Sequence, residues 1–195
     1  MLRLRLFRSF GSLVGALLIA SCAAPGLQDA TAPDSTAANN AGNGAPSEMH
    51  ALWWSNDYQA PITVSKAIDQ SGGTISIPET GFTMDIPAGA LSGPLTITVT
   101  ADTRYVAYKM EPTGTQFAKD VTVTQSLSTT AVAGQPLSNQ LYAAYIADDS
   151  VSLSGKVPVA EIEPSTTIFS SNNSRVPVAQ VWIIRHFSRY MLASN

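Results

Sequence analysis

The sequence predicts an all-β protein, an antiparallel β-sandwich carried behind a leader and an unstructured tether. Three observations predict it. From residue 51 onward, short segments rich in Val, Ile, Thr, Tyr and Phe are broken by Gly, Pro, Asn and Asp, the punctuation of strands and turns. Several alternate with a period of two, Leu95, Ile97 and Val99 against Thr96, Thr98 and Thr100 being the clearest, so that one face packs and the other meets water. No window carries a capped helical repeat, and about eight to ten strands at this spacing suit a sandwich or barrel. Residues 51–195 are enough chain for one core, and no internal repeat divides them.

The elements follow in chain order. Residues 1–21 begin with Arg3, Arg5 and Arg8 and continue into an apolar run from Leu13 to Ala20, which is the layout of a secretory signal peptide. The run is too short to span a bilayer comfortably. It closes on Ile19-Ala20-Ser21-Cys22, which resembles the lipobox of bacterial lipoproteins. That resemblance implies a signal cut before Cys22, a diacylglycerol thioether on its sulfur and an acyl chain, such as palmitate, on its new amino group. Two or three acyl chains give the stable membrane anchoring that one cannot. Cys22 is the only cysteine, so an exported chain forms no internal disulfide, and its one thiol stands where a lipid would be attached. Ala23 stands where an Asp would retain the protein in the inner membrane, which favours the outer membrane of a bacterial cell envelope.

Removing the leader takes away three of the eleven basic residues and leaves 8 against 14 acidic ones, a net charge of −6. Charged residues are only 13% of the chain, so solubility has to rest on Ser, Thr, Asn and Gln. No basic run exists, which excludes nucleic acid as a partner. Residues 22–50 are dominated by Ala, Gly, Pro, Asn, Ser and Thr, a composition that buries too little apolar surface to repay ordering. They are expected to form a disordered linker, whose reach as a flexible coil is roughly 30 Å.

Candidate strands are 61–67, 73–77, 82–86, 95–101, 104–110, 120–127, 141–148, 151–155 and the run from Val176 to Leu192. Within residues 66–127 two blocks carry a family pattern. Gly72-Gly73, a turn at Gly81, and Ile86-Pro87-Ala88-Gly89-Ala90-Leu91 before a further strand form the first. Pro112 and Gly114 in a turn, then Phe117 and Lys119, form the second. Together they resemble the ZU-five domain, the β-sandwich shared by ankyrins, zonula occludens proteins and netrin receptors. Asp120 departs from the pattern, where the family often has proline. In this block Phe117 is expected to be a buried plug. Between Ser128 and Gln180 no such pattern is found.

The resemblance returns at His186-Phe187-Ser188-Arg189-Tyr190. Some ZU-five domains end in a strand with His-Phe-Ser and an aromatic residue two places on, and cut the bond before the serine themselves. By that implication Ser188 Oγ attacks the Phe187 carbonyl, an ester forms by N-to-O shift, and water hydrolyses it, with His186 moving the protons. In a regular strand Trp182, Ile184, His186, Ser188, Tyr190 and Leu192 share the core face, while Arg185, Phe187 and Arg189 face water. Same-face neighbours about 7 Å apart cannot hydrogen-bond without a bulge or kink. The competing reading is a buried His and Ser that satisfy each other or the backbone.

Other sites are weaker. His50, at the tether boundary, is expected to be solvated, and Asp148-Asp149 lacks the acidic glycine loop of a calcium site and reads as a hairpin turn. Trp53 and Trp54 are expected to pack, whereas exposure of Trp53, Trp54 or Tyr105 would mark a carbohydrate-binding or cell-wall-binding module. No metal cluster, phosphate loop or nucleophile triad is present, and no cofactor, metal or small-molecule substrate is implied. The function expected is a lipid-anchored envelope module for protein interaction or a structural role, with self-processing and carbohydrate binding as alternatives.

Overall fold

The computed structural model describes residues 48–195; the leader, Cys22 and the tether through residue 47 lie outside the described residues. The described chain is built of thirteen strands and no helix, all pairings antiparallel, in two sheets. The larger sheet contains β1 (Glu48–Ala51), β2 (Ile62–Ile68), β5 (Leu95–Ala101), β6 (Ala107–Glu111), β8 (Leu141–Ile146), β9 (Lys156–Pro158), β10 (Glu161–Glu163) and β13 (Arg189–Ser194). Its order is β10-β8-β13-β6-β5-β2, with β1 joining β13 to β9. The smaller sheet runs β11 (Ser165–Ser170), β12 (Asn173–His186), β7 (Gln116–Ser126), β4 (Phe82–Ile86) and β3 (Gly73–Ile77). The expected β-sandwich is the observed architecture.

The alternation that predicted β5 also explains its place. Ile97, Val99 and Ala101 are buried, while the threonines between them form the wet face, where Thr100 bonds Thr63 at 3.0 Å and Thr98 bonds Ser65 at 2.8 Å across to β2. Hydroxyl pairs thus do on this surface what charges do elsewhere. The core lies between the sheets, with Phe82 of the smaller sheet 4.3 Å centroid to centroid from Tyr108 of the larger. Tyr108 donates its hydroxyl proton to Gln125 Oε1, and Gln125 Nε2 donates to the Thr80 carbonyl, so this buried polar pair is satisfied.

Several expectations are corrected. The linker does not extend to residue 50, because β1 begins at Glu48, buries Met49 completely and pairs with both β9 and β13. Four residues beside a low-complexity stretch are too short to show a period. Residues 151–155 are a loop, in which Asp148 and Ser152 side chains accept from backbone N–H groups two residues on, and the strand starts at Lys156. Of residues 104–110, only those from Ala107 on enter a strand. Phe117 is half-buried, lying across the core edge against Phe187 at 4.7 Å. The run from Val176 to Leu192 is two strands in two sheets, and Phe187, expected to face water, is fully buried.

The last correction has a simple cause. Leaving the smaller sheet after His186 and entering the larger at Arg189, the chain crosses the sandwich in two residues, and both Phe187 and Ser188 turn inward. Beyond the crossing, β13 is buried on both faces: Tyr190 and Leu192 join the central core, and Met191 and Ala193 join a second cluster with Met49, Leu153 and Val157.

Candidate functional site at the sheet crossing

The crossing is held by the turn that follows β6. Phe187 N–H donates to the Thr115 carbonyl at 2.9 Å, Gly114 N–H donates to the Phe187 carbonyl at 3.0 Å, and Met110 N–H donates to the Ser188 carbonyl at 2.9 Å. Gly114 takes a φ of 83°, which places its N–H without a Cβ to accommodate. A register shift lies between Ile184 and His186 on β12, ahead of the His-Phe-Ser stretch, and it does not bring His186 and Ser188 together.

The Gly114 N–H is bonded to the Phe187 carbonyl oxygen, the atom on which charge would develop were this bond attacked. The nucleophile and base are not paired: among the described residues no hydrogen bond joins Ser188 Oγ to His186. The Tyr190 hydroxyl donates to the His186 carbonyl at 2.8 Å and lies 3.2 Å from His186 Nδ1. With its proton spent on the carbonyl, that hydroxyl accepts from Nδ1–H, which leaves the lone pair on Nε2. Tyr145 packs edge-on against the imidazole, 4.9 Å between centroids. His186 is thus held between Tyr190 and Tyr145.

The sequence missed what else His186 meets. Glu161 and Glu163 are alternate residues of β10, so their carboxylates project to one side, and β12 ends beside them. A ligand atom from each of Glu161, Glu163 and His186 lies within 4.8 Å of the others. Glu163 is only 8% exposed. Burial, and then the negative charge of Glu161, pushes its carboxyl up to about 7 against a smaller opposing effect of Arg185. The Glu-x-Glu alternation was legible, but its neighbour, 23 positions along the chain, was not.

Two surfaces stand apart from the crossing. β11 is an edge strand, and Ile168 and Phe169 on it are 44% and 41% exposed, with Val178 of β12 at 44%. Phe169 and Thr167 line a cavity of about 520 Å³ whose other wall is the loop from Leu137 to Gln140. Near β1, Trp53 is 55% exposed and shares a cavity of about 250 Å³ with His50, Arg104 and Tyr105. The tryptophan pair therefore divides: Trp54 packs, donating Nε1–H to the Asp102 carbonyl at 2.9 Å, and Trp53 does not. Asp148 sits in a turn after β8, its Oδ1 accepting from Ser150 N–H at 2.8 Å, but the turn closes no hairpin, because β8 pairs β10 and β13 while the next strand, β9, pairs β1.

No family model matches the chain, and no curated protein matches it.

Proposed function

We propose that the protein is a lipid-anchored bacterial cell-envelope module whose ZU-five-like sandwich binds a protein partner. The observation that carries this is the edge of β11, which among the described residues no further strand covers, beside exposed Ile168, Phe169 and the cavity next to them. Such an edge is a template for an added strand, with the apolar side chains giving specificity. Anchoring is supported by Ile19-Ala20-Ser21-Cys22. A second reading, cell-wall carbohydrate binding, is favoured by the exposed Trp53 beside Tyr105, Arg104 and His50, because an indole face stacks on sugars while the guanidinium, imidazole and hydroxyl bond them.

Two variants of the full chain separate these readings. Site-specific crosslinking from β11 in envelope preparations should yield a protein adduct that Ile168→Lys abolishes and Trp53→Ala leaves intact. If instead the chain sediments with protein-stripped cell-wall polysaccharide, and only Trp53→Ala prevents it, the carbohydrate reading replaces the first. Neither dependence would remove both faces from consideration.

The anchor has its own expected result. Cys22→Ser should move the exported protein from the membrane fraction to the soluble fraction, a change of at least ten-fold in partition given two or more acyl chains. A variant still bound to membranes would sink the lipoprotein reading.

A further inference from the structure

Glu161, Glu163 and His186 line a cavity of about 160 Å³ closed by Pro164, Ile183 and Arg185. Glu163 is more than nine-tenths buried and faces this cavity, yet among the described residues nothing donates a hydrogen bond or ion pair to its carboxylate. Its carboxylate opens onto this cavity, and the Arg185 guanidinium at the rim is paired with Asp120, its Nε 2.8 Å from Asp120 Oδ1. Two carboxylates and an imidazole thus converge on one cavity.

We propose that Glu161, Glu163 and His186 bind one divalent transition-metal ion of the zinc type. Tyr190 holds the imidazole by Nδ1, which fixes ring orientation and leaves Nε2 free to ligate, the outer-shell arrangement that metal-binding histidines usually have. Two carboxylates and one imidazole make three protein ligands and leave a fourth position for water. A tetrahedral set at ordinary zinc distances has ligand atoms about 3.3 Å apart, so the present spacing, within 4.8 Å, closes by rotation of the exposed Glu161 together with a small adjustment of Glu163 towards His186. Calcium, which takes about six to eight oxygens, and magnesium, which keeps near-ideal octahedral geometry, suit an imidazole and two carboxylates poorly. The ion would tie β10 of the larger sheet to β12 of the smaller, one residue before the crossing.

Calorimetric titration of the full chain with ZnCl2, after chelator treatment, tests this. The expected result is one Zn2+ per chain, with at least ten-fold weaker binding in both Glu163→Gln and His186→Ala and no change in His50→Ala. Zn2+ should raise the unfolding temperature of the parent and not of Glu163→Gln, a variant that keeps the side chain's shape and removes its buried charge, so its fold is retained. The proposal is overturned if the parent binds no Zn2+, if Glu163→Gln binds it as the parent does, if binding is lost with His50 instead, or if Ca2+ binds as tightly.

Discussion

A chain that stops at Phe187 is expected not to fold. The strand it lacks, β13, lies between β8 and β6 in the larger sheet and also pairs with β1. Tyr190, Met191, Leu192 and Ala193 are all buried, on both faces of the sheet. Burying the three large side chains contributes about 1.5–3 kcal/mol each, a sum comparable with the whole stability of a typical domain, about 5–15 kcal/mol. Far-ultraviolet circular dichroism of the truncated chain should lack the strand signature and the cooperative melt of the parent. A melt within a few degrees of the parent would mean that β13 is dispensable.

The same packing bears on self-processing. Were the Phe187–Ser188 bond cut, the last strand would remain in its sheet, so only a denaturing measurement separates the pieces. Intact mass of the full chain under denaturing conditions is expected to show no cut, because His186 is held by Tyr190 and Tyr145 and unbonded to Ser188. Loss of the mass from Ser188 onward in the parent, and its absence in Ser188→Ala, would mean that the pair assembles in another rotamer, with the Gly114 N–H already placed for the oxyanion.

The fold class was legible because alternation is a local property: β2, β3, β4, β5, β7 and β8 all begin within a few residues of where the pattern places them. The missed elements share a physical reason. β9 and β10 are three residues each and β1 four, lengths at which no period exists, and they are strands only because a neighbour supplies the ladder. β11 shows a polar-apolar mixture because an edge strand with a half-exposed face has no core to encode. The His-Phe-Ser stretch was readable as a special place, but the irregularity on β12 falls before His186 and not between His186 and Ser188. That it is a crossing between sheets was not readable, since Trp182, Ile184, Tyr190 and Leu192 are buried as one unbroken strand would have them, and the departures, Phe187, Met191 and Ala193 buried on the other face, come from the new sheet's surroundings. The carboxylate pair was invisible as a site because its third member arrives through the sheet topology.

Gly72→Ala is expected to be the most damaging glycine-to-alanine change among the described residues. Gly72 closes the turn between β2 and β3, its N–H donating to the Asp69 carbonyl at 3.1 Å with φ at 78°, and Gly89 N–H bonds the Gln70 carbonyl at 2.8 Å, so the turn lies flat on the loop after β4. A Cβ there would stand 2.2 Å from the Ile86 carbonyl oxygen and 2.8 Å from the Pro87 carbonyl carbon. Both are backbone atoms, which cannot rotate away. Three glycines separate the two costs. Gly93 has an ordinary φ and open space, so Gly93→Ala is expected to leave stability within about 0.5 kcal/mol. Gly114 has φ at 83° and open space, so Gly114→Ala pays backbone strain alone, about 1 kcal/mol. Gly72→Ala carries the same strain and the clash, about 3–5 kcal/mol together, or roughly 10 °C in melting temperature at this chain length. Urea unfolding of the three variants checks the order. Equal losses at Gly72 and Gly114 would mean that the turn yields and that φ alone decides, whereas the expected spread makes the contact between the 69–72 turn and the Ile86–Gly89 loop the reason this position is glycine.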